Sequence, residues 1–208
     1  MSTKVSHRSV YAVVKRLLDL VAASFMLVVL FPHFVVVALA IKLSSRGPVI
    51  ISQQRIGRDG KLFKLFKLRT MVQDAEFRAP TERLHDPSDG IRLKMRSDPR
   101  ITLVGRELRR FSLDELPALL NVVRGEMSLV GPRPSIPFEA ALFSGEQLRR
   151  FDVRPVITGL AAVSGRRDIS FDEITALDLY YAEHQSLIWD IKILLRTITV
   201  VFRGHSVY

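Results

Sequence analysis

The stretch from Leu17 to Ile41, LLDLVAASFMLVVLFPHFVVVALAI, is apolar enough to enter a bilayer, yet it is interrupted near its middle by Phe31-Pro32-His33. An α-helix needs about 20 apolar residues to cross a hydrocarbon core of ~30 Å, so length alone allows a spanning helix. Lys4, Arg8, Lys15 and Arg16 precede the run, and Lys42, Arg46, Arg55 and Arg58 follow it. Cations at the ends of a membrane segment favour the cytoplasm, so both ends are directed to one side. Pro32 supplies a break, because it has no backbone N–H to donate. The reading is a re-entrant helical hairpin within residues 1–46 that turns at Phe31-Pro32. His33 or the Ser24 hydroxyl would meet the freed backbone groups, and Asp19 would stay at the interface near Lys15 and Arg16. The alternative is a spanning helix kinked by its proline. A signal peptide is disfavoured, since no small-residue cleavage site follows the run.

A chain of 208 residues suits one domain, and residues 47–208 are long enough to build a modest core as one structural unit. The formal charge of +10 and the pI near 10.4 fit a protein held against anionic membrane lipids, where each basic residue contributes about 1 kcal/mol. They fit anionic ligands equally. A nucleic-acid partner is not expected, because the arginines lie in apolar helical stretches and near the anchor, without a nucleic-acid motif. The absence of cysteine excludes disulfides and thiolate chemistry, and the five histidines show no zinc-ligand spacing.

After the apolar run, Gly47-Pro48 marks a turn, Val49-Ile50-Ile51 a strand, and Asp59-Gly60 a hairpin turn before LFKLFKLR. A small β-element is expected there. From Val72 to Arg100 the chain is polar and rich in proline and glycine, which predicts a long surface loop. Ile101–Phe111 and Leu116–Arg124 have helical spacing, with Leu116, Leu119, Leu120 and Val123 on one face and Gly125 as the stop. Gly131-Pro132-Arg133-Pro134 cannot be regular structure, whereas Phe171–His184 and Leu187–Phe202 again read as helices. The last carries Trp189, Lys192, Arg196 and Arg203 among aliphatic residues, which suits either an interfacial or a core-facing helix.

Ser112-Leu113-Asp114-Glu115 has the S-x-x-E form of a capping box, with Ser112 capping a helix and Glu115 reaching back. Pro117 shifts the helix start by a residue or two. Either register leaves two carboxylates beside a helix N-terminus, where free N–H groups attract phosphate and the dipole helps keep Asp114 ionised. An ionised carboxylate is a potential nucleophile, and paired carboxylates offer hard oxygens to Mg²⁺ together with substrate phosphates. Phosphoryl transfer also requires cations, and Arg106, Arg109 and Arg110 precede the pair while Arg133, fixed between two prolines, follows it. Arg154-Pro155 and Arg166-Arg167 extend the candidate anion site.

The ordered set KRLLDL at 15–20, GPVI at 47–50, QRIGRDGKLFKLFKLRTM at 54–71, DPRIT at 98–102, LRRFSLDELPALLNVVRGEMSLVGPRP at 108–134 and RPVITGLAAVSGR at 154–166 closely resembles the bacterial sugar transferases called monotopic phosphoglycosyl transferases. The resemblance covers nearly the whole chain. It implies an α/β, helix-dominated monotopic membrane protein whose residues 47–208 form a catalytic domain on the cytoplasmic face of the bacterial inner membrane. It implies transfer of a sugar 1-phosphate from a UDP-sugar to polyprenol (undecaprenyl) phosphate with Mg²⁺, at the start of exopolysaccharide, capsule or related glycan synthesis. Asp114 would be the nucleophile that expels UMP, and Glu115 a metal ligand or base. Lys67, Arg69, Arg109, Arg133 and Arg154 are the expected substrate-binding cations, and downstream glycosyltransferases are further expected partners. The family's membrane helix breaks at a Ser-Pro pair, here Phe31-Pro32, which favours the hairpin. Other departures are Leu68, Glu126, Val156 and Ala162. Because the chain begins almost at KRLLDL, it is expected to be the minimal catalytic unit. The competing reading is a noncatalytic scaffold that binds anionic or polyprenyl phosphate lipid.

Overall fold

The computed structural model describes residues 2–73, 75, 98–165 and 169–202, with 2–9 as backbone only. The chain opens with a single helix, α1, from Ser2 to Ser44, which runs through Pro32. Helix α1 thus continues through Phe31-Pro32 without a turn, and the expected reversal is not shown there. Proline removes only the bond that its own N–H would give to the Val28 carbonyl, and neither Phe31 nor His33 brings the turn chemistry that a reversal needs. Asp19, Ala23, Met26, Leu30, Phe34, Val37 and Ile41 recur every three or four residues as a covered stripe. Val21, Phe25, Val28, Val36 and Leu43 stand exposed on the other side.

Both flanks of α1 are tied to one body. Near its start, Arg16 donates to the Val122 and Val123 carbonyls at 2.6 and 2.9 Å, and Asp19 accepts from the Leu129 N–H at 3.1 Å. At its end, Arg69 donates to the Ile41 and Ser45 carbonyls at 3.3 and 2.6 Å, so a buried cation closes the negative pole of the helix.

The expected hairpin forms from β1 (Ile50–Ile56) and β2 (Leu62–Leu68), antiparallel with Ile50 opposite Leu68 and Ile56 opposite Leu62. Its turn holds Asp59 and Gly60 at positive φ, as that dipeptide predicts. The predicted loop that follows lies mostly outside the described residues, but its ends are joined where Val72 N–H meets the Arg100 carbonyl at 2.9 Å. Next come α2 (Leu103–Arg110), capped by Thr102, and α3 (Ala118–Arg124), ended by Gly125 at φ 82°. Only part of the predicted face of α3 is core: Leu119 is buried while Leu120 is exposed, and Ala118, Asn121 and Val122 are buried instead. The helix is rotated because Asn121 is drawn inward to the β2 backbone, receiving Phe66 N–H at 3.1 Å and donating to the Lys64 carbonyl at 2.8 Å.

A second sheet, which sequence spacing did not predict, pairs β3 (Ser128–Val130) in parallel with β4 (Val156–Thr158). The Gly131-Pro132-Arg133-Pro134 turn leaves from β3, and α4 (Pro137–Ala141) follows it. Gly159, just after β4, approaches this turn so closely that a Cβ there would sit 1.9 Å from the Gly131 carbonyl oxygen. The short α5 (Leu160–Val163), α6 (Phe171–Glu183) and α7 (Leu187–Phe202) complete the described chain. Ala23 of α1, Leu65, Leu119, Val122, Met127, Val130, Tyr181 and Ile193 form the main core, and Ile41, Leu68 and Leu108 a second one. Helix α7 buries Ile193 but exposes Ile188, Ile191, Leu195, Ile198 and Phe202 along one stripe.

Candidate active site

Between α2 and α3 the chain turns sharply at Ser112, which takes the left-handed conformation (φ 55°, ψ 22°) and starts a single 3-10 turn, Leu113–Glu115. The expected capping box does not form there. The left-handed backbone gives Ser112 no side-chain cap bond, and Glu115 turns instead to Lys67, whose Nζ lies 2.5 Å from its Oε1. Asp114 and Glu115 are both buried, at 7% exposure each, which sets two carboxylates side by side with little water to screen them.

Burial, and next the Glu115 charge, push the Asp114 carboxyl up from its usual range to about 6, against the pull of Lys67 and Arg109. The helix-dipole expectation is thus outweighed: a turn of three residues carries too small a dipole to offset desolvation. At neutral pH Asp114 remains mostly ionised.

Three of the predicted cations surround the pair. Lys67 holds Glu115 from β2, and β2 is itself pinned to α3 by Asn121. Arg109, in the last turn of α2, is fixed by its Nε bond to the Thr70 hydroxyl at 2.9 Å, and Asp114 partly offsets the lowering that burial imposes on its guanidinium. Arg133 lines a cleft with Lys67, Glu115 and Arg55, floored by Leu65, Ala118, Met127 and Val156. The other two are elsewhere. Arg69 is engaged with the α1 carbonyls, and Arg154 donates to the Gly125 carbonyl at 2.9 Å, near Arg16 and Arg58. Arg106 and Arg110 are exposed on α2, and Arg166 and Arg167 lie outside the described residues.

Arg55 was read from sequence only as a cation flanking the apolar run. The signal that locates it is strand alternation: Arg55, opposite Phe63, shares a face of the hairpin with Leu65 and Lys67. Among the described residues no group of three or more His, Asp or Glu side chains forms a ready-made metal cage. Two adjacent buried carboxylates that repel one another do fit the partial oxygen set that Mg²⁺ shares with substrate phosphates.

Residues 10–204 match the family model described as Bacterial sugar transferase. The chain is 38% identical over 206 residues to the exopolysaccharide production protein ExoY of Rhizobium meliloti, covering 97% of this chain and 91% of that one. It is 40% identical over 205 residues to the UDP-glucose:undecaprenyl-phosphate glucose-1-phosphate transferase of Caulobacter vibrioides, covering 93% and 72%. It is 45% identical over 159 residues to the galactosyl transferase CpsE of Streptococcus agalactiae, covering 76% of this chain but only 35% of that longer protein.

Proposed function

Because the chain belongs to the bacterial sugar transferase family, we propose that it moves a sugar 1-phosphate from a UDP-sugar to polyprenyl phosphate through a phosphosugar-Asp114 intermediate. The observation that carries this reading is the burial of Asp114 beside Glu115, with Lys67 and Arg109 close enough to act on its charge. In the first step an Asp114 carboxylate oxygen attacks the sugar-linked phosphorus, and the bond to the UMP oxygen breaks with its electron pair leaving on UMP. In the second, a phosphate oxygen of the polyprenyl acceptor attacks the same phosphorus, and the Asp114 oxygen leaves as carboxylate. No net proton is needed, so Glu115 serves by holding Lys67 at the site. Arg109 and Arg133 bear on the negative charge that spreads over the transferred group. The dry setting of Asp114 protects an acyl phosphate from hydrolysis.

Asp114 and Glu115 are the residues that would hold Mg²⁺, which when bound neutralises diphosphate charge. The membrane-facing surface is the exposed apolar side of α1, extended by the stripe on α7. Both flanks of α1 bind the same body, which supports two ends on one side of the bilayer, and their cations favour the cytoplasmic side of the bacterial inner membrane. The helix thus stays within one leaflet, and anionic lipids surround its basic flanks. Downstream glycosyltransferases would take up the lipid-linked product.

The test is UMP release from a panel of UDP-sugars by the purified protein with Mg²⁺ and undecaprenyl phosphate. Labelling the sugar-linked phosphate and quenching rapidly should trap label on the wild-type chain and none on Asp114→Asn. Turnover that survives Asp114→Asn would overturn the proposal, and a protein that turns over no sugar in either form would be a scaffold.

A further inference from the structure

Arg55 is a buried cation with no close ion-pair partner among the described residues, although Glu139 and Glu115 act on its charge from farther off. It is 8% exposed, its Nη2 donates to the neutral Gln53 amide oxygen at 3.0 Å, and no described carboxylate lies within ion-pair distance. Its Nε is buried with no partner. Two other buried guanidiniums also leave Nε unmet, but Arg69 is bound to backbone carbonyls and Arg150 to Asp178. Buried polar groups are ordinarily paired, and a guanidinium left without an anion costs more than a neutral group would.

The surroundings specify what is missing. Arg55 and Lys67 project from the same face of the β1–β2 hairpin, and Arg133 lines the same cleft. Burial, then the Arg133 charge, lower the Arg55 guanidinium to about 10, so it stays charged at neutral pH while facing a like charge. Glu115, the carboxylate in the cleft lining, is already engaged by Lys67, and the Arg55 Nε has no acceptor. Like charges held together out of water mark a site completed by an anion of more than one charge, and guanidinium forks match phosphate oxygens.

We propose that Arg55 is a substrate-contacting residue, whose Nε and neighbouring guanidinium of Arg133 together grip a phosphate oxyanion in the cleft beside Glu115. The inference rests on the function proposed above, in which two substrates carry phosphate: the nucleotide sugar as a diphosphate and the polyprenyl acceptor as a monoester. Neither changes the chemistry of the grip.

The experiment compares wild type, Arg55→Gln and Arg55→Lys in melting temperature without ligand, in UDP binding by calorimetry with Mg²⁺, and in KM for each substrate. Removing an unpaired buried cation should leave the melting temperature unchanged or higher, while phosphate binding weakens at least about tenfold. Weaker UDP binding with a raised KM for the UDP-sugar places the grip on the diphosphate, and a raised KM for undecaprenyl phosphate alone places it on the acceptor. Unaltered UDP affinity and both KM values in Arg55→Gln overturn the inference and leave the proposed function standing. If Arg55→Gln does not fold, Arg55→Lys decides: weakened binding at wild-type melting supports the grip, and wild-type binding refutes it. A wild-type chain that binds neither UDP nor inorganic phosphate would sink both the inference and the function beneath it.

Discussion

The Tyr181 hydroxyl on α6 lies 3.0 Å from the carbonyl oxygen of Val130, the last residue before the turn that presents Arg133. That turn holds two prolines, which donate no N–H, so beside the Gly131 N–H given to the Thr158 carbonyl at 3.0 Å its hold on the body relies on carbonyls. Tyr181 shares its one proton between Val130 and Asp190, and Asp190 in turn accepts from Tyr11 at 3.0 Å and Lys15 at 2.9 Å on α1. Helix α1 and the Arg133 turn are thereby joined through one buried hydroxyl. Tyr181→Phe is expected to cost roughly 1–3 kcal/mol, because it takes from the buried Val130 carbonyl its donor at 3.0 Å and leaves it only the Ser128 hydroxyl at 3.5 Å. It should raise KM for the UDP-sugar as the Arg133 turn loosens. Denaturant unfolding and steady-state kinetics would check both, and unchanged values would show that Tyr181 does not hold the turn.

One turn earlier on α6, Asp178 pairs with Arg150, which also donates to the Arg133 carbonyl at 3.2 Å. Arg150 is 4% exposed and Asp178 1%, so breaking the pair strands a charge. Asp178→Asn should therefore destabilise the fold by about 3–5 kcal/mol, whereas Arg150→Met combined with Asp178→Leu should recover most of that loss. A double-mutant cycle on melting provides the measure, and additive losses would disprove the pairing.

The raised Asp114 carboxyl makes a signed prediction about pH. Its folded value of about 6 lies above the ordinary 3.8, so the folded state binds this proton more tightly than the unfolded state. The associated stability is complete below pH ~3.8 and is lost as pH rises through about 6. In the presence of a chelator at pH 7.5, Asp114→Asn should stabilise the chain by roughly 1–3 kcal/mol, or a few degrees in melting temperature, and the gain should vanish near pH 4. Turnover needs the ionised form, so the wild-type rate should fall as pH drops below about 6. Equal melting of both proteins at pH 7.5 would contradict the burial argument.

The elements that sequence located are those set by local chemistry. Asp59-Gly60 made its hairpin turn, Gly125 stopped α3, and the helix read from Phe171 begins there, on an unread capping box of Ser170 and Glu173 whose two bonds measure 3.2 and 2.7 Å. Features that depend on distant partners were not legible. The Ser112 motif has the same form as that at Ser170, but Lys67 from a strand far back in the chain takes Glu115 away. Arg69 looked like a substrate cation until the last carbonyls of α1 claimed it, and Arg55 acquired meaning only once β1 and β2 placed it in one cleft with Arg133. Asp114 was found by motif, but its elevated carboxyl comes from packing that no spacing rule describes.

The placement of α1 predicts where its two ends lie. A straight helix of 43 residues is about 64 Å long at 1.5 Å per residue, twice what a hydrocarbon core of ~30 Å requires. A spanning arrangement would put Arg16 and Ser45 on opposite sides of the bilayer. Yet Arg16 bonds α3 and Ser45 bonds Arg69 at the end of β2, and Asn121 fastens that same α3 to β2. Spanning would break one set of these bonds or drag polar backbone through lipid, at several kcal/mol for each unmet group. Because the chain has no cysteine, single cysteines at Ser2 and Ser52 report cleanly on each end. In intact cells neither should react with a membrane-impermeant thiol reagent, and both should react once the membrane is opened. Reaction at one end alone in intact cells would mean that α1 crosses the bilayer, and that its bonds to the body are not made in the membrane.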